Sequence, residues 1–258
     1  MKNNIVITSF AWKMAERVLL QGLAVVVQVI LARLLMPSDF AAVALINAVI
    51  HYLGLFVQSG LSTVVVQKKE LDNKDISTLM TYSLCTATLL YISIFFLAPL
   101  LSNYYNVGDL ILPIRVAALS LFLYSFNSIQ TGILSRQMRF RTIFFLSIVA
   151  MPIAAVIAIT MAFCGMGIWA LICNTLLNIL LTVIIMNTMP ELRIKLGFSF
   201  IRFKQLFSFS GKILLTTLIS GGGDTLRTLV IGKFYSQNSL AFYDRAYSGF
   251  NRSETSFK

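Results

Sequence analysis

Residues 142–163 read TIFFLSIVAMPIAAVIAITMAF, an uninterrupted run with no charged side chain. At about 1.5 Å of rise per residue, such a helix is about 33 Å long, just over the roughly 30 Å hydrocarbon core of a bilayer. A soluble core has no use for an apolar segment of that length. Working outward, further apolar spans fall near 10–35, 40–66, 77–101, 111–134, 167–188 and 206–234. Turn or charge signals separate them: Met36-Pro37-Ser38-Asp39, Lys68 to Asp75, Asn103 to Asp109, Ser135 to Arg141, Gly165-Met166-Gly167, and Glu191 to Gln205. The whole chain agrees. Its 258 residues have a mean hydropathy of +0.82, and 12% are charged, about half the share usual in a soluble protein. The expected fold is an all-α, polytopic membrane helix bundle of about seven spans.

The net charge of +11 would suggest nucleic acid for a soluble protein. Here the cations follow the spans instead. Lys2 and Lys13 precede most of span one. Lys68, Lys69 and Lys74 follow span two, Arg136, Arg139 and Arg141 span four, and Arg193, Lys195, Arg202 and Lys204 span six. Alternating spans put all of these on one side. Arg33 and Lys233 sit at helix ends on the other. Cytoplasmic loops concentrate Lys and Arg, so a cytoplasmic N-terminus and no nucleic-acid partner are expected. Span one lacks a cleavage pattern and is read as retained. Cys85, Cys164 and Cys173 lie in apolar runs without CxxC spacing, so neither a disulfide framework nor a metal site is expected. No paired carboxylates, nucleophile–base set or phosphate-binding glycine loop emerges. The chain is expected to be no enzyme and to need no cofactor.

Polar groups inside a membrane are costly, so their spacing carries information. Residues at i, i+4, i+7 and i+11 share one helix face. Span one aligns Lys13, Arg17, Gln21 and Gln28; span two Asn47, His51, Gln58 and Ser62; span four Ser120, Tyr124, Asn127 and Thr131. Span six aligns Asn174, Asn178 and Thr182; span seven Thr217, Ser220, Asp224 and Thr228, with Arg227 alongside. Span five is nearly bare, apart from Ser147 and Thr160, and is expected to be the most lipid-exposed helix. Two readings of the stripes stand open: interhelical hydrogen bonding, or the lining of a hydrated cavity. Full charge at Arg17 favours a cavity. Arg115 lies off the stripe and fits snorkelling. His51 is read mainly as a packing residue. Asp224 either neutralises Arg227 or binds a coupling cation. Gly221-Gly222-Gly223 beside it weakens the helix. The basic, aromatic segment from Arg193 to Lys204 reads as an interfacial helix on anionic membrane lipid.

The chain also repeats itself at an offset of about 200 residues. Ser9-Phe10 and Lys13 recur as Ser208-Phe209 and Lys212, Leu31-Ala32-Arg33 as Ile231-Gly232-Lys233, and Phe40-Ala41 as Leu240-Ala241. An even number of spans separates the copies, which suggests two parallel lobes related by an axis along the membrane normal. The expected organisation is a six-helix lobe at 1–190, a basic cytoplasmic linker at 191–205, the start of a second lobe at 206–247 and a polar tail at 248–258. The brevity of the second lobe suggests a truncated chain or a half-size protein.

Several segments resemble the polysaccharide-export branch of the multidrug, oligosaccharidyl-lipid and polysaccharide exporter superfamily, and within it the Wzx-type flippases. Leu31 to Phe40, LARLLMPSDF, looks like the family's turn after the first helix. Ser59-Gly60-Leu61 with Val66-Gln67-Lys68-Lys69, Leu134 to Phe140, Gly165 to Leu171, Ile231 to Phe234 and Tyr243 to Tyr247 are similar to further family elements in order. The resemblance covers roughly residues 9–247. It implies a flippase moving polyprenyl-diphosphate-linked oligosaccharide across a bacterial inner membrane, alongside a glycan polymerase and glycosyltransferases. Arg17, Arg33, Gln21, Gln28, Asn47, His51, Gln58, Asn127 and Arg227 are the expected substrate-binding residues, and Asp224 and Glu16 the candidates for ion coupling. A drug/cation antiporter and a non-transporting scaffold remain as alternatives.

Overall fold

The computed structural model describes residues 2–58, 61–68, 71–105, 110–194, 196–234, 240 and 243. It is helical: α1 (Lys2–Leu34), α2 (Pro37–Gln58), α3 (Leu61–Gln67), α4 (Asn73–Tyr105), α5 (Ile111–Ala117), α6 (Ser120–Arg136), α7 (Phe140–Phe163), α8 (Ile168–Thr188), a 3-10 turn (Pro190–Leu192) and α9 (Phe200–Phe234). No strand occurs among the described residues. Expected span four divides into α5 and α6, where the helix tightens to three-residue hydrogen bonds from the amides of Leu119, Leu121 and Phe122.

Helix starts follow local chemistry. Pro37 opens α2, a position where its missing N–H costs nothing. The Asp39 carboxylate reaches back to accept from the Met36 amide at 3.2 Å. The Asp75 carboxylate does the same for the Asp72 amide at the start of α4, at 3.1 Å. This is the returning half of a capping box. The α7–α8 turn needs two glycines. Gly165, at φ +75°, ends α7 with paired bonds from its own amide to the Ala162 carbonyl and from the Met166 amide to the Met161 carbonyl. Gly167 holds φ +49° and ψ −122°. A methyl group there would lie 3.3 Å from an Asp39 oxygen. Two of the motifs that carry the family resemblance thus meet across 128 residues of chain.

Six helical spans among the described residues are long and apolar enough to cross a membrane, from Arg17–Leu34 through Ile168–Thr188. The seventh expected span is helical as part of α9 but is not one of them. Gly221-Gly222-Gly223, Asp224 and Arg227 dilute its hydropathy.

One expectation is corrected in part. Span five, now α7, is not the least packed helix: 33% of its span is buried, against 11% for α1 and 17% for α4 and α8. Ala150, Ala154, Ala158 and Ala162 recur every fourth residue and are all buried, with Ala155 beside them. α7 packs on both α1 and α8, because in lipid small side chains let helices approach closely. Its other face shows Val149, Ile153, Val156 and Phe163 outward.

The apolar core has two centres. One joins the end of α1, the start of α2, α5 and the start of α8 around Leu31, Ile46, Ile114 and Leu171. The other lies at the basic end, around Val65, Met80, Ile133, Leu146 and Leu192. α9 packs along α2 and α4.

Candidate functional site

A groove runs between these helices as three adjoining chambers of about 290, 460 and 220 Å3. The first two share Met151, Asn178 and Ile179; the second and third share Asn47 and Thr175. α8 is the floor. Leu171, Asn174, Thr175, Asn178, Ile179, Thr182 and Met186 recur at helical spacing and all line it. α1 and α7 form one wall through Leu20, Ala24, Gln28, Ser147 and Met151. α2 and α6 form the other through Asn47, His51, Tyr124, Asn127 and Thr131.

The hydroxyls of this lining are mostly engaged by carbonyls three or four residues back along the chain. Thr182 donates to the Asn178 carbonyl at 2.8 Å, Thr175 to the Leu171 carbonyl at 3.3 Å and Ser120 to the Ala117 carbonyl at 2.7 Å. The amides are different. The side chains of Gln28, Asn47, Asn174 and Asn178 make no hydrogen bond among the described residues. Each offers two N–H donors and a carbonyl acceptor, so the groove carries an array of uncharged, uncommitted hydrogen-bonding groups, half-buried at Gln28, Asn174 and Asn178 and exposed at Asn47. No Asp, Glu, Lys or Arg lines it among the described residues; His51 is the one titratable imidazole there.

Four of the expected binding residues are therefore in the groove: Gln28, Asn47, His51 and Asn127. Arg17 is exposed and lines none of the three chambers; it lies one turn before Leu20, which lines the first. Gln21, Arg33 and Gln58 line no chamber. Neither does Arg227, which is exposed on α9. The side chains of Lys13, Glu16 and Asp224 lie outside the described residues. Sequence spacing missed the α7 wall, because Ser147 and Met151 form no polar stripe.

Arg115 has a different task from snorkelling. A helical proline removes the N–H that would bond the carbonyl four residues back. Pro99 in α4 orphans the Phe95 carbonyl in this way. The Arg115 guanidinium donates to that oxygen through Nη2 at 3.2 Å and Nε at 3.4 Å. It also lies 3.8 Å over the Phe95 ring. Lys233 likewise donates to the Tyr104 carbonyl, at 2.8 Å, in the last turn of α4, where carbonyls lack intrahelical partners. Arg33 and Lys233 match in the repeat but do not share a setting.

The opposite arrangement holds at the basic end. Buried Asp75 takes Lys68 Nζ at 2.5 Å and Arg202 Nη1 at 3.0 Å, while Arg202 also meets Asp72 at 3.1 Å. Arg136 caps α3 through the Val65 and Lys68 carbonyls. Arg139 pairs with Glu191. Gln130 donates to Asn187 and to the Leu192 carbonyl. Of the loop cations predicted to share a side, Lys68, Arg136, Arg139 and Arg202 meet at one end.

The fold and groove define a polytopic membrane protein with a neutral polar cleft between its spans. The family model for polysaccharide biosynthesis proteins matches residues 30–255, and the chain belongs to that family. It is also 26% identical over 169 residues to the succinoglycan biosynthesis transport protein ExoT of Rhizobium meliloti (strain 1021). That alignment covers 66% of this chain and 34% of the relative, so the chain spans about a third of the relative's length. No solved structure matches.

Proposed function

We propose that this chain forms the groove-bearing lobe of an exporter that moves a polyprenyl-diphosphate-linked oligosaccharide across a bacterial cytoplasmic membrane. The observation that carries this reading is the row of uncommitted amides in the groove. A glycan is rich in hydroxyls that lose water on entering the bilayer, and a buried polar group without a partner is costly. Gln28, Asn47, Asn174 and Asn178 replace that water without requiring a counter-charge. Arg17, one turn before Leu20, suits the diphosphate, since charge-assisted bonds are strong where water is scarce. The polyprenyl tail stays in lipid. The basic end faces the cytoplasm on the charge rule. The relative's name, a transport protein for succinoglycan biosynthesis, supports the same reading. A drug/cation antiporter has less support, because the described lining holds no carboxylate.

The test is flipping of a fluorescent lipid-linked oligosaccharide in proteoliposomes. The variant Asn174→Leu/Asn178→Leu should slow it about tenfold or more, the equivalent of one or two lost hydrogen bonds. Arg17→Ala should also slow it. The proposal fails if the double variant flips at the parent rate, or if the parent moves sugar-free polyprenyl diphosphate equally fast.

A further inference from the structure

The segment from Leu196 to Lys204 joins the six-span bundle to α9, and the transport reading gives it no role. Its level in the membrane follows from α4. That helix has 33 residues and is about 50 Å long, well beyond the roughly 30 Å of hydrocarbon. Its excess lies at the start, where Asn73, Lys74, Asp75, Ser77, Thr78 and Thr81 cluster. From Leu84 onward the side chains are mainly apolar. The first turns of α4 therefore stand at headgroup level.

The linker is fastened sideways to those turns. Thr81 Oγ1 donates to the Gly197 carbonyl at 3.1 Å, and the Gly197 amide donates to Thr81 Oγ1 at 3.3 Å. The Phe203 ring packs on Tyr82 at 5.1 Å between centroids. Arg202 bridges to Asp75. Held this way, Leu196, Phe198, Phe200 and Ile201 are each more than half exposed. Lys74, Arg193 and Lys204 are exposed beside them. Among the described residues the nearby acids are already engaged: Asp72, Asp75 and Glu191 pair with Lys68, Arg202 and Arg139. Only part of the segment is helical, as the sequence led one to expect of all of it: α9 itself begins at Phe200.

We propose that Leu196–Lys204 is a membrane-surface anchor, its four apolar side chains seated between lipid headgroups and acyl chains and its cations on anionic phosphates. An apolar cluster rimmed by cations at this depth fits that boundary. The anchor would hold the start of α9 at a set height while the lobes move.

The experiment uses the full chain in nanodiscs. Phe198→Trp adds a fluorophore to Trp12 and Trp169. The added emission should be quenched by lipid brominated high on the acyl chain. Amides 196–204 should exchange hydrogen more slowly in anionic discs than in zwitterionic ones. Lys74→Gln/Lys204→Gln should shrink that difference, by about fivefold for each charge removed. Quenching by aqueous acrylamide alone would overturn the proposal. So would quenching by neither agent, the result expected if a protein partner covered the segment. Equal exchange in both disc types would overturn it as well.

Discussion

The groove and the basic end are both polar regions of an apolar bundle, yet they are built in opposite ways. At the basic end the buried carboxylate and the cations around it are paired: Asp75 serves Lys68, Arg202 and the Asp72 amide, and Arg136 serves two carbonyls, although Gln130 Oε1 is buried there without a partner among the described residues. In the groove four amides have no partner among the described residues. Saturated groups hold structure; unsaturated ones wait for water or a ligand. Substitutions at the basic end should therefore cost stability, and those in the groove should cost transport.

The largest stability effect is expected at Asp75. Asp75→Ala strands two cations and an N–H. The cost is about 3 kcal/mol, the low end for a broken buried pair, since the side chains of Lys68 and Arg202 are one-third exposed. Thermal unfolding in detergent measures it, and a loss below that of any groove variant would break the comparison. Gly167→Ala comes next, at about 2 kcal/mol, from its positive φ and the nearby Asp39 carboxylate. Arg115→Ala should cost about 1–2 kcal/mol by leaving the Phe95 carbonyl without a partner. A double-mutant cycle sharpens this case: Pro99→Ala restores the missing N–H, so Pro99→Ala/Arg115→Ala should regain most of the loss. Simple additivity would refute the assignment. The smallest effect belongs to the groove. Asn178→Leu should change stability by no more than about 0.5 kcal/mol, while flipping falls. A strongly destabilised Asn178→Leu would show that the amide is interhelical glue.

Much of the candidate site was legible in advance. The α8 stripe Asn174, Asn178, Thr182 and the α6 stripe Tyr124, Asn127, Thr131 follow helical spacing, and both face the groove. The α2 stripe divides. Asn47 and His51 line chambers, whereas Gln58 does not, and Ser62 lies in α3 against Gly132 of α6. The roles of Arg115 and Arg202 were hidden because their partners, Phe95 and Asp75, lie 20 and 127 residues away. Helical periodicity reports which residues share a face, not which face meets another.

From sequence alone came the length of the spans, the polar stripes, the shared side of the loop cations and the exporter-family likeness. These depend on local composition and on a fixed helical repeat, so neighbours along the chain suffice. Only the tertiary structure decided that one face of α7 is a packed wall, that Arg115 repairs a proline break, and that four amides have no partner among the described residues. Each of those depends on which helices come together. In a bundle whose apolar surfaces resemble one another and the lipid around them, close packing and the pairing of stranded polar groups make that choice.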